Sequence, residues 1–221
     1  STMDAENPEV TEFGWVDDKF VADVSLYSNS KQYDGVCPFV WRQGVKHDLA
    51  KIMELDFVDG HFLNGRGEKV DVEDERVFPL LKSSDLQREV VSVPRKFVII
   101  TQKRIGEDTD HLAKEFPRLY EYLSSNKELF LGRKSSIYTG KSSFSIFGIG
   151  EYSFKPYKVA VSGLYKQPSF SLLLPQNGKP MMLDDTCYFI GFDEISEAVT
   201  AWIILNSEHS QKLLKAITFT D

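Results

Sequence analysis

The sequence predicts an α+β protein: a curved, mostly antiparallel sheet with short intervening helices and two helices at the C-terminus. Three observations carry this. Short β-branched and aromatic runs bounded by turn residues recur at Arg95–Thr101 (RKFVIIT), Tyr157–Gly163 (YKVAVSG), Phe170–Leu174 and Thr186–Phe192. Helix signals cluster between them, from Asp108 to Gly132, and again in the last thirty or so residues. No repeat of fixed period is present, which excludes a solenoid or propeller.

In chain order, residues 1–12 hold four acids and little to bury, the mark of a frayed or tag-derived terminus. Phe13–Tyr27 alternates apolar and polar residues (Phe20, Ala22, Val24, Leu26), which predicts a half-buried strand, and Ser28–Gly35 reads as a loop. Gly60–Gly67 has hairpin-turn composition, and Val70–Val77 reads as an acidic, exposed strand or loop. The KSSD segment at Lys82–Asp85 is a polar turn, placed either against phosphates or as the cap of a helix beginning near Leu86. Pro117 suits a first helical turn, with Leu119, Tyr122, Leu123 and Leu129–Leu131 forming the apolar face of two short helices that end at Gly132. Turns are predicted at Pro175–Pro180 and Asp184–Asp185. Asp193 is positioned to cap a helix that buries Ile195, Val199, Trp202, Ile203 and Leu205, and a second helix, Glu208–Ile217, turns Leu213, Leu214 and Ile217 inward. The expected organisation is one domain over 13–221, divisible into halves at 13–105 and 106–221.

Composition bounds the chemistry. The 221 residues are 42% hydrophobic and 27% charged, as in a folded domain, and no apolar run reaches the roughly 18 residues needed to cross a bilayer. With an acidic rather than basic-then-apolar N-terminus, the expectation is a cytoplasmic chain. Cys37 and Cys187 have no neighbouring CxxC or HxxxH, so neither a disulfide framework nor a zinc site is indicated.

The net charge of −7 is unevenly spread. Lys82–Lys166 holds 15 Lys and Arg against nine Asp and Glu, a local +6 that leaves −13 for the remainder. Within it, Arg133–Lys166 places Arg133, Lys134, Lys141, Lys155, Lys158 and Lys166 against the single acid Glu151, with Ser136, Tyr138, Tyr157 and other aromatic and hydroxyl residues interleaved. Such a stripe suits a phosphate backbone, since cations displace counterions and hydroxyls donate to phosphate oxygens. It equally suits a strand-rich core with lysines on its wet face. Upstream, Trp41, Arg42, Gln43, Lys46 and His47 surround Gly44. Arg and Gln make paired hydrogen bonds to base edges, Lys reaches phosphate, and Gly permits a turn closed to other residues. The plainer reading is a loop entering a strand, with Trp41 in the core and His47 bonded to Asp48.

Common catalytic signatures are missing. No GxSxG, Walker loop, HExxH or deaminase HxE with PCxxC occurs. Phe147–Gly150 (FGIG) has glycines like a turn that cradles S-adenosylmethionine, but aromatic strand-like sequence flanks it on both sides where a strand, a helix and a distal acid are needed. Asp17-Asp18-Lys19 matches a D-x-K fragment of metal-dependent nucleases, a three-residue pattern common by chance.

Taken together, WRQGVKHDLAKIMEL (Trp41–Leu55), FPLLKSSDL (Phe78–Leu86), FPRLYEYLSSNKELFLGRKSSIY (Phe116–Tyr138), FSIFGIGEYSFKPYKVAVSGLYK, DDTCYFI and ILNS resemble, in order and spacing, the TaqI-like C-terminal specificity domain of adenine-specific DNA methyltransferases from restriction-modification systems. The resemblance spans about residues 13–221. It implies a DNA target-recognition domain whose partner is an N-terminal methyltransferase domain that binds S-adenosylmethionine and carries an (Asn/Asp)-Pro-Pro-(Tyr/Phe) motif; some such proteins also carry a fused endonuclease. That motif is absent, Asn7-Pro8 being followed by Glu9-Val10. The expectation is therefore a chain that binds duplex DNA, holds no cofactor or metal of its own and is no enzyme by itself. Shared blocks containing Trp41, Arg42, Gln43, Lys46, His47, Lys82, Ser83, Arg133, Lys134, Ser136, Tyr138, Lys141, Lys155, Tyr157 and Lys158 are expected to hold phosphates or build the scaffold. Base readers are expected in loops without family pattern: Asn29, Lys31 and Gln32; Asn64 and Arg66; Gln176, Asn177 and Lys179. The alternatives are a protein-docking module of a restriction-modification complex and a nuclease built on Asp17 and Lys19.

Overall fold

A computed structural model describes residues 11–86, 90–164 and 168–219. The acidic terminus 1–10, Arg88 and Lys166 lie outside the described residues. The strands are β1 (Gly14–Val16), β2 (Lys19–Val21), β3 (Arg42–Gln43), β4 (Glu54–Val58), β5 (His61–Asn64), β6 (Lys69–Val70), β7 (Val77–Leu81), β8 (Val90–Val91), β9 (Lys96–Ile99), β10 (Tyr157–Ser162), β11 (Ser171–Leu173), β12 (Met182–Leu183) and β13 (Cys187–Phe192). The helices are α1 (Val24–Ser30), α2 (Ala50–Met53), α3 (Leu112–Glu115), α4 (Pro117–Ser125), α5 (Lys127–Leu131), α6 (Ile195–Leu205) and α7 (Glu208–Ile217). The class is α+β, mostly antiparallel, with two C-terminal helices as expected.

The strands form separate ladders: β12-β7-β9-β4-β5-β6, β3-β13-β10-β11-β8, and the hairpin β1-β2. Only β11–β8 and β12–β7 pair in parallel among these strands. Strands from either side of residue 105 share both large sheets, because β3 and β8 join β10–β13 while β12 joins β7. Helices α2–α5 cover the six-stranded sheet through Ile52, Leu112, Leu119, Leu123 and Phe130. Helix α6 covers the five-stranded sheet through Ala198 and Ala201. Leu81, Leu86, Ala160, Leu173, Met181, Leu183 and Phe189 make one buried cluster drawn from both sheets.

Local chemistry explains the departures from the sequence pattern. The alternation predicted as one strand breaks at Asp23, whose carboxylate accepts the Leu26 N–H at 2.8 Å and starts α1. The segment predicted as the loop Ser28–Gly35 is consequently the end of α1 plus a 3₁₀ turn at Lys31–Tyr33. Gly60–Gly67 holds two turns flanking β5. In the acidic stretch that follows, Val72, Arg76 and Val77 are buried. The KSSD segment is a 3₁₀ turn in which Asp85 accepts the Lys82 N–H at 2.8 Å, and Leu86 closes it. Asp193 does not cap α6; it pairs with Lys155, and Glu194 takes the cap position without a side-chain bond. On α6, Ile195 and Ile203 point to solvent, and two alanines take the core side. A helix on a sheet seats small residues where it approaches closest.

Candidate nucleic-acid interface

The segment around Gly44 crosses between the sheets. Val45 N–H donates to Leu183 O at 2.6 Å, while Lys46 and Phe147 exchange two backbone bonds at 2.9 Å. A Cβ on Gly44 would lie 2.1 Å from Asp184 O, and one on Gly148, whose φ is +66°, would lie 2.0 Å from Gly44 O. In the FGIG segment Gly148 therefore serves backbone-to-backbone contact with Gly44, whereas a Cβ on Gly150 would meet the Tyr152 ring. Gly44 is required for this close approach rather than for an unusual dihedral.

Several predicted cations turn inward. Arg133 donates to Phe130 O (3.1 Å), Ser145 O (2.7 Å), Ser143 O (3.0 Å) and His47 O (3.3 Å), and its guanidinium lies 3.5 Å from the Tyr138 ring centre. Burial lowers its pKa from the ordinary arginine value. Burial and then the Asp48 carboxylate push Tyr138 up to about 12. Lys158 is 1% exposed; its ammonium donates to Lys155 O at 2.7 Å, and burial brings its pKa down to about 7. Lys155 pairs with Asp193. Lys46 bridges Asp48 (2.8 Å) and Asp185 (3.0 Å), and those hydrogen bonds raise its pKa.

Lys82 pairs with Glu54 at 2.7 Å, and His47 Nε2 lies 3.6 Å from the same carboxylate rather than on Asp48. His47 Nδ1 accepts the Leu49 N–H at 3.1 Å, which leaves Nε2 to face Glu54. Burial drives Glu54 up, but the bonds from His47 and Lys82 outweigh it and hold the carboxyl below its usual value. Ser83 Oγ donates to Thr186 O at 3.0 Å, and Gln43 donates to Asp185 O at 2.6 Å. Trp41 and Tyr157 pack, half-buried, into the cluster under α6. Arg42 is exposed, with its guanidinium 4.9 Å from the Tyr152 ring centre.

Among the predicted base readers, Asn64 is buried and fully engaged. Its carbonyl accepts the Arg66 and Glu68 N–H groups at 2.9 and 3.1 Å, and its amide donates to Glu68 at 2.8 Å and Tyr122 at 3.1 Å. Lys179 is a strap, donating to Asp74 O (2.6 Å) and Val77 O (3.0 Å). Asn29 donates to Ser25 O at 3.0 Å, and Lys31 reaches Asp17 at 3.5 Å. Gln176 is half-buried and exchanges two backbone bonds with Lys179 at 2.9 Å, closing a tight turn with Asn177 exposed at its tip, φ +49°. Gln32 and Arg66 are exposed. The D-x-K pair diverges, Asp17 meeting Lys31 and Lys19 meeting Asp34.

One surface open to a polyanion is a pair of joined loops; Lys51, Arg66, Lys69, Lys114 and Lys127 are exposed and unpaired elsewhere among the described residues. Lys134 and Lys141 are exposed, beside exposed Ser136, and form no side-chain bond or ion pair among the described residues. Sequence reasoning counted Lys103 and Arg104 in the basic half but did not single them out; both are exposed and equally unpaired. The loops are tied together beneath these cations: Thr101 Oγ donates to Phe144 O (2.8 Å), Ile146 N–H to Gln102 Oε1 (3.1 Å) and Ser142 Oγ to Asp108 (2.8 Å). The available signal was a Lys-Arg pair in the turn that follows a central strand, with Ile105 and Gly106 after it.

No protein-family pattern matched the chain. It is 39% identical over 197 residues, 89% of its length, to the type II methyltransferase M.NspV of Nostoc sp. (strain ATCC 29411 / PCC 7524). The chain spans 40% of the length of that relative, and is thus related to part of a type II methyltransferase. Among the described residues no helix is long and apolar enough to cross a membrane.

Proposed function

We propose that this chain is the target-recognition part of a restriction-modification adenine-N6 DNA methyltransferase and binds double-stranded DNA sequence-specifically. The observation that carries this reading is the extent of the match: most of this chain, yet two-fifths of a type II methyltransferase. Methyl transfer, S-adenosylmethionine and the flipped adenine belong, on this reading, to a separate N-terminal domain. Lys103, Arg104, Lys134 and Lys141 contact phosphates, whereas Arg133, Lys155 and Lys158 build the platform beneath them. Base reading falls to exposed side chains with spare hydrogen-bonding capacity, Gln32, Arg66 and Asn177.

A second reading, docking onto another protein, is favoured by one surface. Phe39, Phe192, Ala201 and Ile204 line a shallow apolar groove beside α6. The two readings are separable by titrating a pool of duplexes into the protein at low salt. Binding is expected, and Lys103→Ala or Lys141→Ala should weaken it for every duplex while lowering the magnitude of the log–log salt slope by about 0.9 each. Failure of any duplex to bind at low salt would favour the docking reading.

A further inference from the structure

Between Lys103 and Arg104 on one side and Gly106 on the other, the chain presents Ile105 with 56% of its surface exposed. Exposure alone is ordinary for an apolar side chain, and Val36, Val93 and Leu131 are more exposed; what sets Ile105 apart is its place beside two cations on a braced loop. The loop is stiffened so that this side chain stays out. The buried Gln102 side chain donates to Arg104 O at 2.8 Å and accepts from Ile146 N–H at 3.1 Å. From the other side the Glu107 carboxylate accepts the Lys103 and Arg104 N–H groups at 2.8 and 3.2 Å. Gly106, at φ +81° with open space around it, turns the chain back. Two acids at the base of the loop are engaged, Glu107 by those amides and Asp108 by Ser142 and the Asp110 N–H, while the Asp110 carboxylate is exposed. The two cations and the isoleucine thus face outward without a competing internal partner.

We propose that Ile105 is a wedge that enters the duplex at a base step and unstacks it, with Lys103 and Arg104 fixing the phosphates on either side. This rests on the DNA-binding reading above and adds to it the residue that deforms the DNA. Three features support it. Apolar wedges that kink DNA are aliphatic or aromatic side chains set among cations. Inserting one costs unstacking energy, which a pre-organised loop does not add to by having to order itself. A flipped nucleotide also requires the stack to open beside it.

The test is permanganate oxidation of thymines, which reports unstacking, on short duplexes with a randomised centre, followed by strand cleavage and sequencing. The wild-type chain is expected to raise thymine reactivity severalfold at one step of the bound duplexes. Ile105→Ala should abolish that enhancement while duplex binding and its salt slope persist, and Ile105→Phe should retain it. Duplex binding without enhanced reactivity in the wild type, or enhancement that survives Ile105→Ala, would overturn the wedge and leave the DNA-binding reading standing. Absence of duplex binding would overturn both.

Discussion

Arg133 and Lys141 belong to the same basic stretch yet have opposite surroundings, and mutation should separate them. Arg133→Ala removes a guanidinium that satisfies carbonyls in three segments, at His47, Phe130 and Ser143–Ser145, and should cost about 2–4 kcal/mol, measured by urea unfolding. Lys141→Ala should leave stability within about 0.5 kcal/mol. Equal midpoints for the two variants would contradict this division. Lys158 carries a pH signature. Its folded pKa of about 7 lies below the unfolded value near 10.4, so between these pH values the unfolded chain binds more protons and stability rises with pH. The penalty is on the order of 4 kcal/mol at pH 7. Cys187, pushed up to about 12 by burial, acts oppositely above roughly pH 8.5, so the comparison belongs between pH 7 and 8.5. Lys158→Met should be more stable than wild type at pH 7, by an amount that shrinks toward pH 8.5; a constant difference would refute a neutral buried amine. None of this was legible in the sequence. A lysine in a strand reaches solvent or core according to the faces its sheet exposes, and β10 is flanked by β11 and β13 and covered on both faces.

At the scale of elements, the long-range strands and the C-terminal helices were legible because their composition and periodicity agree. Alternation failed where a cap overrode it: Asp23 starts α1 inside a period-2 pattern, and one carboxylate bonded to a backbone N–H decided the outcome. The Asn64 turn was recognised as a turn but not as a latch, since residue type alone does not reveal that Tyr122 and Glu68 converge on it. Asn64→Ala should cost about 2–3 kcal/mol and leave DNA sequence preference unchanged, whereas Arg66→Ala should change preference with stability intact. Binding titrations of both variants alongside urea unfolding would check this. A shift of preference from Asn64→Ala at unchanged stability would reverse the assignment.

At the scale of the whole molecule, the fold class was legible and its division into two large sheets was not. Pairings such as β3 with β13 and β12 with β7 join segments more than a hundred residues apart, and no local pattern encodes them. Of the cations that the sequence concentrates between Lys82 and Lys166, Arg133, Lys155 and Lys158 are structural supports. Lys103, Arg104, Lys134 and Lys141 are left facing outward on the joined loops. On the function proposed above, these cations hold phosphates while Gln32, Arg66 and Asn177 read bases, so that the chain selects a DNA sequence. The most direct test of that selection is repeated capture of duplexes from a randomised pool by the chain at low salt, with the retained sequences read after each round. Convergence on one short motif is expected, retained less efficiently as salt rises. Retained duplexes that stay as random as the input would contradict it.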